Sequence, residues 1–257
     1  ETPTLIKYAE CNDYLVSVRE KITEMQFSPT GDPKEKDFVL IDWDEDGQEK
    51  ILAGILFRFG GWGGFQNALD LVNHISLNER ETLVKEIMAD RKRFDQPLRE
   101  FEYASMTFDV IMDQGAYFEF KRHRMMTQTV GPLTAELGYA VPTAVVKAGC
   151  LDAYQTAMRK SASLYNEMAA WNPDAASYIL PNGFNRRVGF TLNLREAFHF
   201  CRLRAAQNAH FSIRRVALQM AETIRDIYPL ISPYLDIPPN QTSRDIQDLY
   251  FSQLRAR

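Results

Sequence analysis

Two stretches concentrate the side chains able to bind anions or move protons. The first is the triplet Arg122-His123-Arg124. The second carries Arg186, Arg187, Arg195, His199, Arg202, Arg204, Asn208, His210, Arg214 and Arg215. Guanidinium groups grip phosphate, or the anionic edge of a reduced ring system, through paired charge-assisted hydrogen bonds. On a helix through 204 opened by Asn193, the residues Arg195, His199 and Arg202 fall at i, i+4 and i+7, on one face. Like charges on one stripe are unfavourable unless an anion or an acidic partner neutralises them. Glu196 is the only acid between 186 and 215, so pairing inside the segment looks insufficient. A bound anion and acids from elsewhere in the fold are the two ways to complete it. The triplet, taken alone, is accounted for by a solvated helix face beside Glu119, Lys121 and Thr127.

Other chemistries find less support. Cys11, Cys150 and Cys201 show no CxxC or Cys/His spacing and read as reduced, mostly buried thiols of a cytoplasmic protein. His74, His123, His199 and His210 lack close metal-ligand spacing. The cluster Gly60-Gly61-Trp62-Gly63-Gly64 is followed by no Lys-Ser/Thr pair, so it reads as a helix stop and turn, not a phosphate loop.

These residues need a scaffold, and the composition supplies one. The chain has 257 residues, 45% of them hydrophobic and 25% charged, enough to bury a core in one domain. Its net charge is −4, against the basic excess of a general nucleic-acid binder. Asp42, Asp44, Glu45 and Asp46 form an acidic run while arginines crowd 186–215, the pattern of a localised anion site. No apolar run approaches the roughly 20 residues that span a bilayer, and no signal-peptide pattern opens the chain. It begins at Glu1, compatible with a piece trimmed from a longer polypeptide.

Periodicity places helices at about 48–59, 65–75, 78–91, 150–170 and 209–228. Ser28–Pro33 reads as a loop, and Asn78 with Glu81 has capping-box spacing. The 150–170 helix is expected to bury Leu151, Tyr154, Met158, Leu164 and Met168. Alternation gives a strand over 102–111, ended by Asp113-Gln114-Gly115. A helix from about 114 to 128 is expected to carry the triplet, and 187–192 reads as a short strand.

The ordered blocks Leu180-Pro181, Arg187, Asn193–Arg204 and Asn208–Arg215, with the triplet at 122–124, resemble the flavin-dependent thymidylate synthases over roughly 80–215. The resemblance implies an α+β fold with a small central antiparallel sheet flanked by long helices. It implies one domain over 1–257, with a helical part to about 95 and the resembling core at 96–230. The implied activity is methyl transfer in nucleotide biosynthesis: dUMP becomes dTMP, with methylenetetrahydrofolate as carbon donor and FAD reduced by NADPH. By the same likeness, His123, Arg124, Arg202, Leu203, Arg204 and Asn208 contact the flavin, and Arg122 lies nearer the nucleotide. Arg187 holds the dUMP phosphate. Arg214 lies against the uracil ring and polarises it toward the enolate, which needs a fixed positive charge. The family uses no cysteine nucleophile, and its sites form between subunits of a homotetramer.

The family signature places a Ser after Arg-His-Arg and seven residues, with an acid two before it and an Arg two after. Here those positions are Val130, Pro132 and Thr134. Proline offers neither a backbone donor nor a hydroxyl, and Gln128 and Thr134 are the polar residues placed to compensate. Three readings stay open: a working synthase with a rearranged nucleotide loop, a family-fold domain that binds flavin or nucleotide beside a competent partner domain, and a nucleic-acid module using the arginines. The acidic balance disfavours the last.

Overall fold

The computed structural model describes residues 12–25, 36–61, 63–92 and 95–257; Cys11, the Ser28–Pro33 loop and Trp62 lie outside them. The chain divides into two compact units, Glu1–Glu35 and Lys36–Arg257. In the first, α1 (Asp13–Glu24) is capped by the Asn12 side chain, which accepts from Leu15 N at 3.2 Å.

The second unit opens with β1 (Phe38–Trp43), followed by α2 (Gly47–Phe59), α3 (Phe65–His74) and α4 (Leu77–Ala89). Gly60 is the C-cap of α2, so the start of the glycine cluster does stop a helix. The capping box of α4 is Ser76 with Glu79, two residues before the expected Asn78 and Glu81. The same Ser-to-Glu spacing occurs there, and Ser is as good a cap as Asn.

A single 3-10 turn over Arg99–Tyr103 leads into β2 (Ser105–Asp113). Asp113 ends the strand and caps α5 (Gln114–Phe120), its carboxylate accepting from Ala116 N at 2.8 Å. The expected helix to 128 therefore stops eight residues early. Thr127-Gln-Thr-Val forms a strand instead, β3 (Thr127–Val130), paired with residues 188–191, because β-branched residues suit a half-buried pleat. The triplet thus lies in the turn after α5, where His123 N donates to the Phe120 carbonyl at 3.0 Å. The chain continues through β4 (Tyr139–Pro142), α6 (Thr143–Lys147), α7 (Leu151–Ala169) and α8 (Pro173–Ala176). On α7, Met158 and Tyr165 are buried, Leu151, Tyr154 and Met168 pack at the edge, and Leu164 is exposed, contrary to expectation. Next come β5 (Asn185–Asn193), α9 (Leu194–Arg204), α10 (Phe211–Ile227), α11 (Ser243–Tyr250) and β6 (Phe251–Ala256).

The main sheet has four strands in the order β1-β2-β5-β3, with all three pairings antiparallel, and β4 pairs with β6 in a second sheet. This is the α+β class with a small antiparallel sheet. Its central pair runs from Ser105 opposite Asn193 to Asp113 opposite Asn185. Val188, Phe190 and Leu192 point to the core, where Phe190 stacks on Phe108 and meets Phe120 edge-on. Period-2 alternation then sends Arg187, Gly189 and Thr191 to the other face. Against the core, α10 buries Ile213, Val216, Ala217, Met220, Ala221 and Ile224, the stripe expected of a helix at 3.6 residues per turn. Among the described residues no helix is long and apolar enough to cross a membrane.

Candidate functional site

The Asn193 side chain caps α9, accepting from Glu196 N at 2.9 Å. That places the Glu196 carboxylate in the first helical turn, where negative charge is favoured. Arg202 and Arg204 stand in the last turn, where positive charge is favoured. The turn after α5 delivers His123 between the two ends. Its Nδ1 lies 3.1 Å from Glu196 Oε1, and Arg204 donates its Nε–H to His123 Nε2 at 3.0 Å. The Arg204 Nη1 in turn pairs with the Glu119 carboxylate, and its Nη2 donates to the Glu119 carbonyl at 3.3 Å. His123 and Glu196 are buried, so each bond is worth more, and its loss more, than on the surface. The His123 ring also meets Phe200 and His199 edge-on, at 4.9 and 5.7 Å between centroids.

A cleft of about 270 Å³ opens beside this network, lined by Gln96, Glu102, Met125, Asn193, Arg195, Glu196 and His199. Arg195 donates to Glu102 Oε1 at 3.0 Å and to the Pro97 carbonyl at 2.9 Å. Burial holds the His199 imidazole below its ordinary range. His123, Arg202 and Arg204 add to that effect, and Glu196 opposes it.

On the outer sheet face, Arg187 pairs with Asp109 at 2.6 Å, and Thr107 and Thr191 share a hydrogen bond at 2.9 Å. Arg186 stacks on Tyr117, bonds Gln114, and donates to the Gly131 carbonyl at 2.6 Å. It thereby pins the loop that carries Pro132, which is itself exposed. Gln128 is used on the His123 carbonyl at 2.9 Å, and Thr134 Oγ1 accepts from Glu136 N at 3.3 Å. Both residues named as possible replacements for the family Ser thus have local partners.

At the start of α10, Arg214 is buried and donates to Gln241 at 2.7 Å, with its guanidinium 5.9 Å from the Tyr250 ring. Its Nε is buried without a partner. Arg215 reaches Asp37, which also pairs with Arg255.

The structure brings His123 and Arg204 into direct contact and sets Arg202, Leu203 and Asn208 on or just beyond the same helix end. Arg122 and Arg124 flank His123 and are exposed. Arg187 lies on a strand and Arg214 on another helix, each with its own partners. The shortage of acids inside 186–215 is met by long-range pairing with Glu102, Asp109, Glu119 and Asp37. Nothing in the sequence pattern marks Glu119 or Asp109 for this site, and Glu196 stands out there only as a charge. A signal for Glu196 was present: an acid three residues after a capping Asn, in a segment otherwise basic.

The family model for thymidylate synthase complementing protein matches residues 39–230. The UPF0159 protein of Chlamydia muridarum is 29% identical over 87% of this chain, and a UPF0159 protein of Thermoplasma acidophilum is 29% identical over 75%. The chain spans less than half the length of these curated relatives, 43% and 39% respectively. The flavin-dependent thymidylate synthase of Thermococcus onnurineus is 30% identical over 51% of this chain and 59% of its own length. In fold, the chain is similar to the UMP/dUMP methylase PolB from Streptomyces cacaoi, solved with 5-Br dUMP. The TM-score is 0.63 at 17% identity, covering 79% of this chain and 97% of that one. The family match spans most of the second unit and includes the triplet, β5, α9 and α10. The chain belongs to the thymidylate synthase complementing protein family.

Proposed function

We propose that this chain binds FAD and a uracil deoxynucleotide and converts dUMP to dTMP, with methylenetetrahydrofolate as carbon donor and NADPH as reductant, in the cytoplasm. The observation that carries the reading is the Glu196–His123–Arg204–Glu119 network at the end of α9. It holds the Arg204 guanidinium in place, and in this reading Arg204 is one of the flavin contacts. Leu203, next to Arg204, is 44% exposed, and Met125, two residues after His123, is 69% exposed. Cations beside exposed apolar side chains suit a ligand with a flat ring and a pyrophosphate. Ligand cavities usually run to about 300–1,000 Å³, so the cleft of about 270 Å³ beside His199 is a partial wall. A second copy of the chain would supply the rest, in keeping with a tetramer.

In this reading His123, Arg124, Arg202, Leu203, Arg204 and Asn208 hold the flavin, which when bound supplies the reducing equivalents. Arg122 and Arg187 hold the nucleotide. Arg214 keeps a fixed positive charge against the uracil, stabilising negative charge that develops on the ring. A route without a cysteine nucleophile agrees with Cys201, whose thiol is fully buried and pushed up to about 12 by burial, whereas Cys150 is exposed, against the expectation of mostly buried thiols.

A second reading, a domain that binds flavin or nucleotide without turnover beside a competent partner, is favoured by the loop. Val130 and Pro132 stand where the family has an acid and a Ser, and Asp109 already takes a guanidinium nitrogen of Arg187. Titration with FAD, followed by flavin fluorescence, tests both; a protein that ignores FAD sinks both flavin readings. The FAD-loaded protein and a Pro132→Ser variant are then titrated with dUMP by calorimetry. Tight binding by the wild type supports the synthase, and binding by neither supports the second reading.

A further inference from the structure

His123 has two ring nitrogens, and both are engaged by groups that leave one arrangement of protons. A guanidinium nitrogen can only donate, so the Arg204 Nε–H, 3.0 Å from Nε2, makes that ring nitrogen an acceptor. The ring proton must then sit on Nδ1, where Glu196 Oε1 accepts it at 3.1 Å. Free histidine in water prefers the opposite arrangement, with the proton on Nε2. The unusual tautomer therefore needs a cause, and Glu196 supplies it: an acceptor, itself buried, fixed by its place in the capped first turn of α9. Phe200 closes one side of the imidazole.

We infer that Glu196 is a positioning residue: it fixes the Nδ1–H tautomer of His123, which then acts as the acceptor that aims the Arg204 guanidinium. In this arrangement His123 has no N–H left for a ligand. Arg204 has five N–H groups; one goes to His123 and two to Glu119, and the remaining two are on Nη1 and Nη2. The site's cation toward an anionic or carbonyl-bearing ligand is then Arg204, and His123 serves the proposed flavin site through Arg204 and not through an N–H of its own. The consequence for ligand binding rests on the flavin reading proposed above; the consequence for the imidazole does not.

The test uses the full chain labelled with ¹⁵N at histidine, without ligand, at about pH 8, above the ordinary imidazole range. The chain has four histidines, and a His123→Gln variant assigns the signal by its loss. Long-range ¹H–¹⁵N correlation is expected to show His123 with a protonated Nδ1 and a bare Nε2. Glu196→Ala is expected to move the proton to Nε2, whereas Glu196→Gln, which keeps a carbonyl acceptor, retains the wild-type pattern. A wild-type His123 protonated on Nε2 overturns the inference, and this reading stands even if Glu196→Ala does not fold. A Glu196→Ala spectrum identical to wild type overturns it as well. Where FAD binds, Glu196→Ala and Arg204→Ala each weaken it about tenfold, roughly one hydrogen bond. The double variant loses no more than the worse single, and fully additive losses would break the proposed coupling. If the wild type takes up no FAD while the tautomer result holds, the flavin reading fails and the positioning role of Glu196 remains.

Discussion

The segment from Arg187 to Arg215 and the loop from Met125 to Gly138 are held in place by different construction. In the first, cationic side chains are tied to acids or amides that come from far along the chain: Arg187 to Asp109, Arg195 to Glu102, Arg204 to Glu119, Arg214 to Gln241. In the second, the loop's own side chains make local ties while its backbone is held by residues remote in sequence. Gln128 bonds the His123 carbonyl, Thr134 bonds Glu136, and Arg186 and Arg187 hold the Gly131 backbone. Side chains tied to partners on other elements hold a geometry before any ligand arrives. A loop fixed through its backbone keeps its path while its side chains are replaced. On the proposed reading, that contrast accounts for family contacts kept in the first segment while Val130 and Pro132 stand in the loop.

The largest effect is expected where the first segment would meet the reacting ring. Arg214→Ala should lower dTMP formation by about 10²–10³-fold, the size seen when one preorganised stabiliser of developing charge is removed. FAD binding should stay within about twofold if Arg214 and the α9 end are separate sites, as their distinct partners imply. Steady-state rates with flavin titration check both; undiminished dTMP formation removes Arg214 from the chemistry.

The loop has its own weak point. Gly138 adopts φ +70, and a Cβ there would run into the Ala256 carbonyl of β6. Gly138→Ala is expected to destabilise the fold by about 2–3 kcal/mol, from the left-handed backbone penalty and the clash. Thermal unfolding measures it. Since this junction lies at β4 and β6, the α9 network should keep its FAD affinity in the folded fraction. A neutral Gly138→Ala would mean that the β4–β6 pairing contributes little to this region.

How much of this was legible in the sequence follows the same contrast. The α9 cap at Asn193, the long apolar stripe of α10 and the strand at Arg187–Leu192 depend on neighbours in the chain, and all appear where periodicity and capping place them. The helix expected through 128 failed because β3 is stabilised by pairing with β5, a partner about sixty residues away. The strands β1, β4 and β6 were missed for a similar reason, since their cues are a sheet's pairings and not a local pattern. At the site, arginine density pointed to the right segment. It could not reveal that Glu102, Asp109, Glu119 and Asp37 neutralise it, because each comes from an element remote in sequence. The triplet was found, but its middle member is the buried one, and that follows only from the turn after Phe120.

The smallest predicted effect sharpens the first segment alone. His199 lines the cleft, and burial, with His123, Arg202 and Arg204 nearby, holds its folded-state imidazole below the ordinary value, against the opposing pull of Glu196. A depressed folded value means the unfolded chain binds the proton more readily. The neutral ring therefore contributes stability above the unfolded value near pH 6.5, about where free imidazole titrates. That contribution is lost as pH falls through the folded value. Melting temperature should accordingly fall as pH drops below about 6.5, and a His199→Gln variant should lose less over the same range. Because His199 is only partly buried, the difference between the two proteins should be a few degrees at most, readable by paired melts across that window. Identical pH profiles would show that neither burial nor the cations at the end of α9 set the protonation of His199. The cleft would then be electrostatically separate from the Arg204 network, and the two would have to be treated as independent halves of the site.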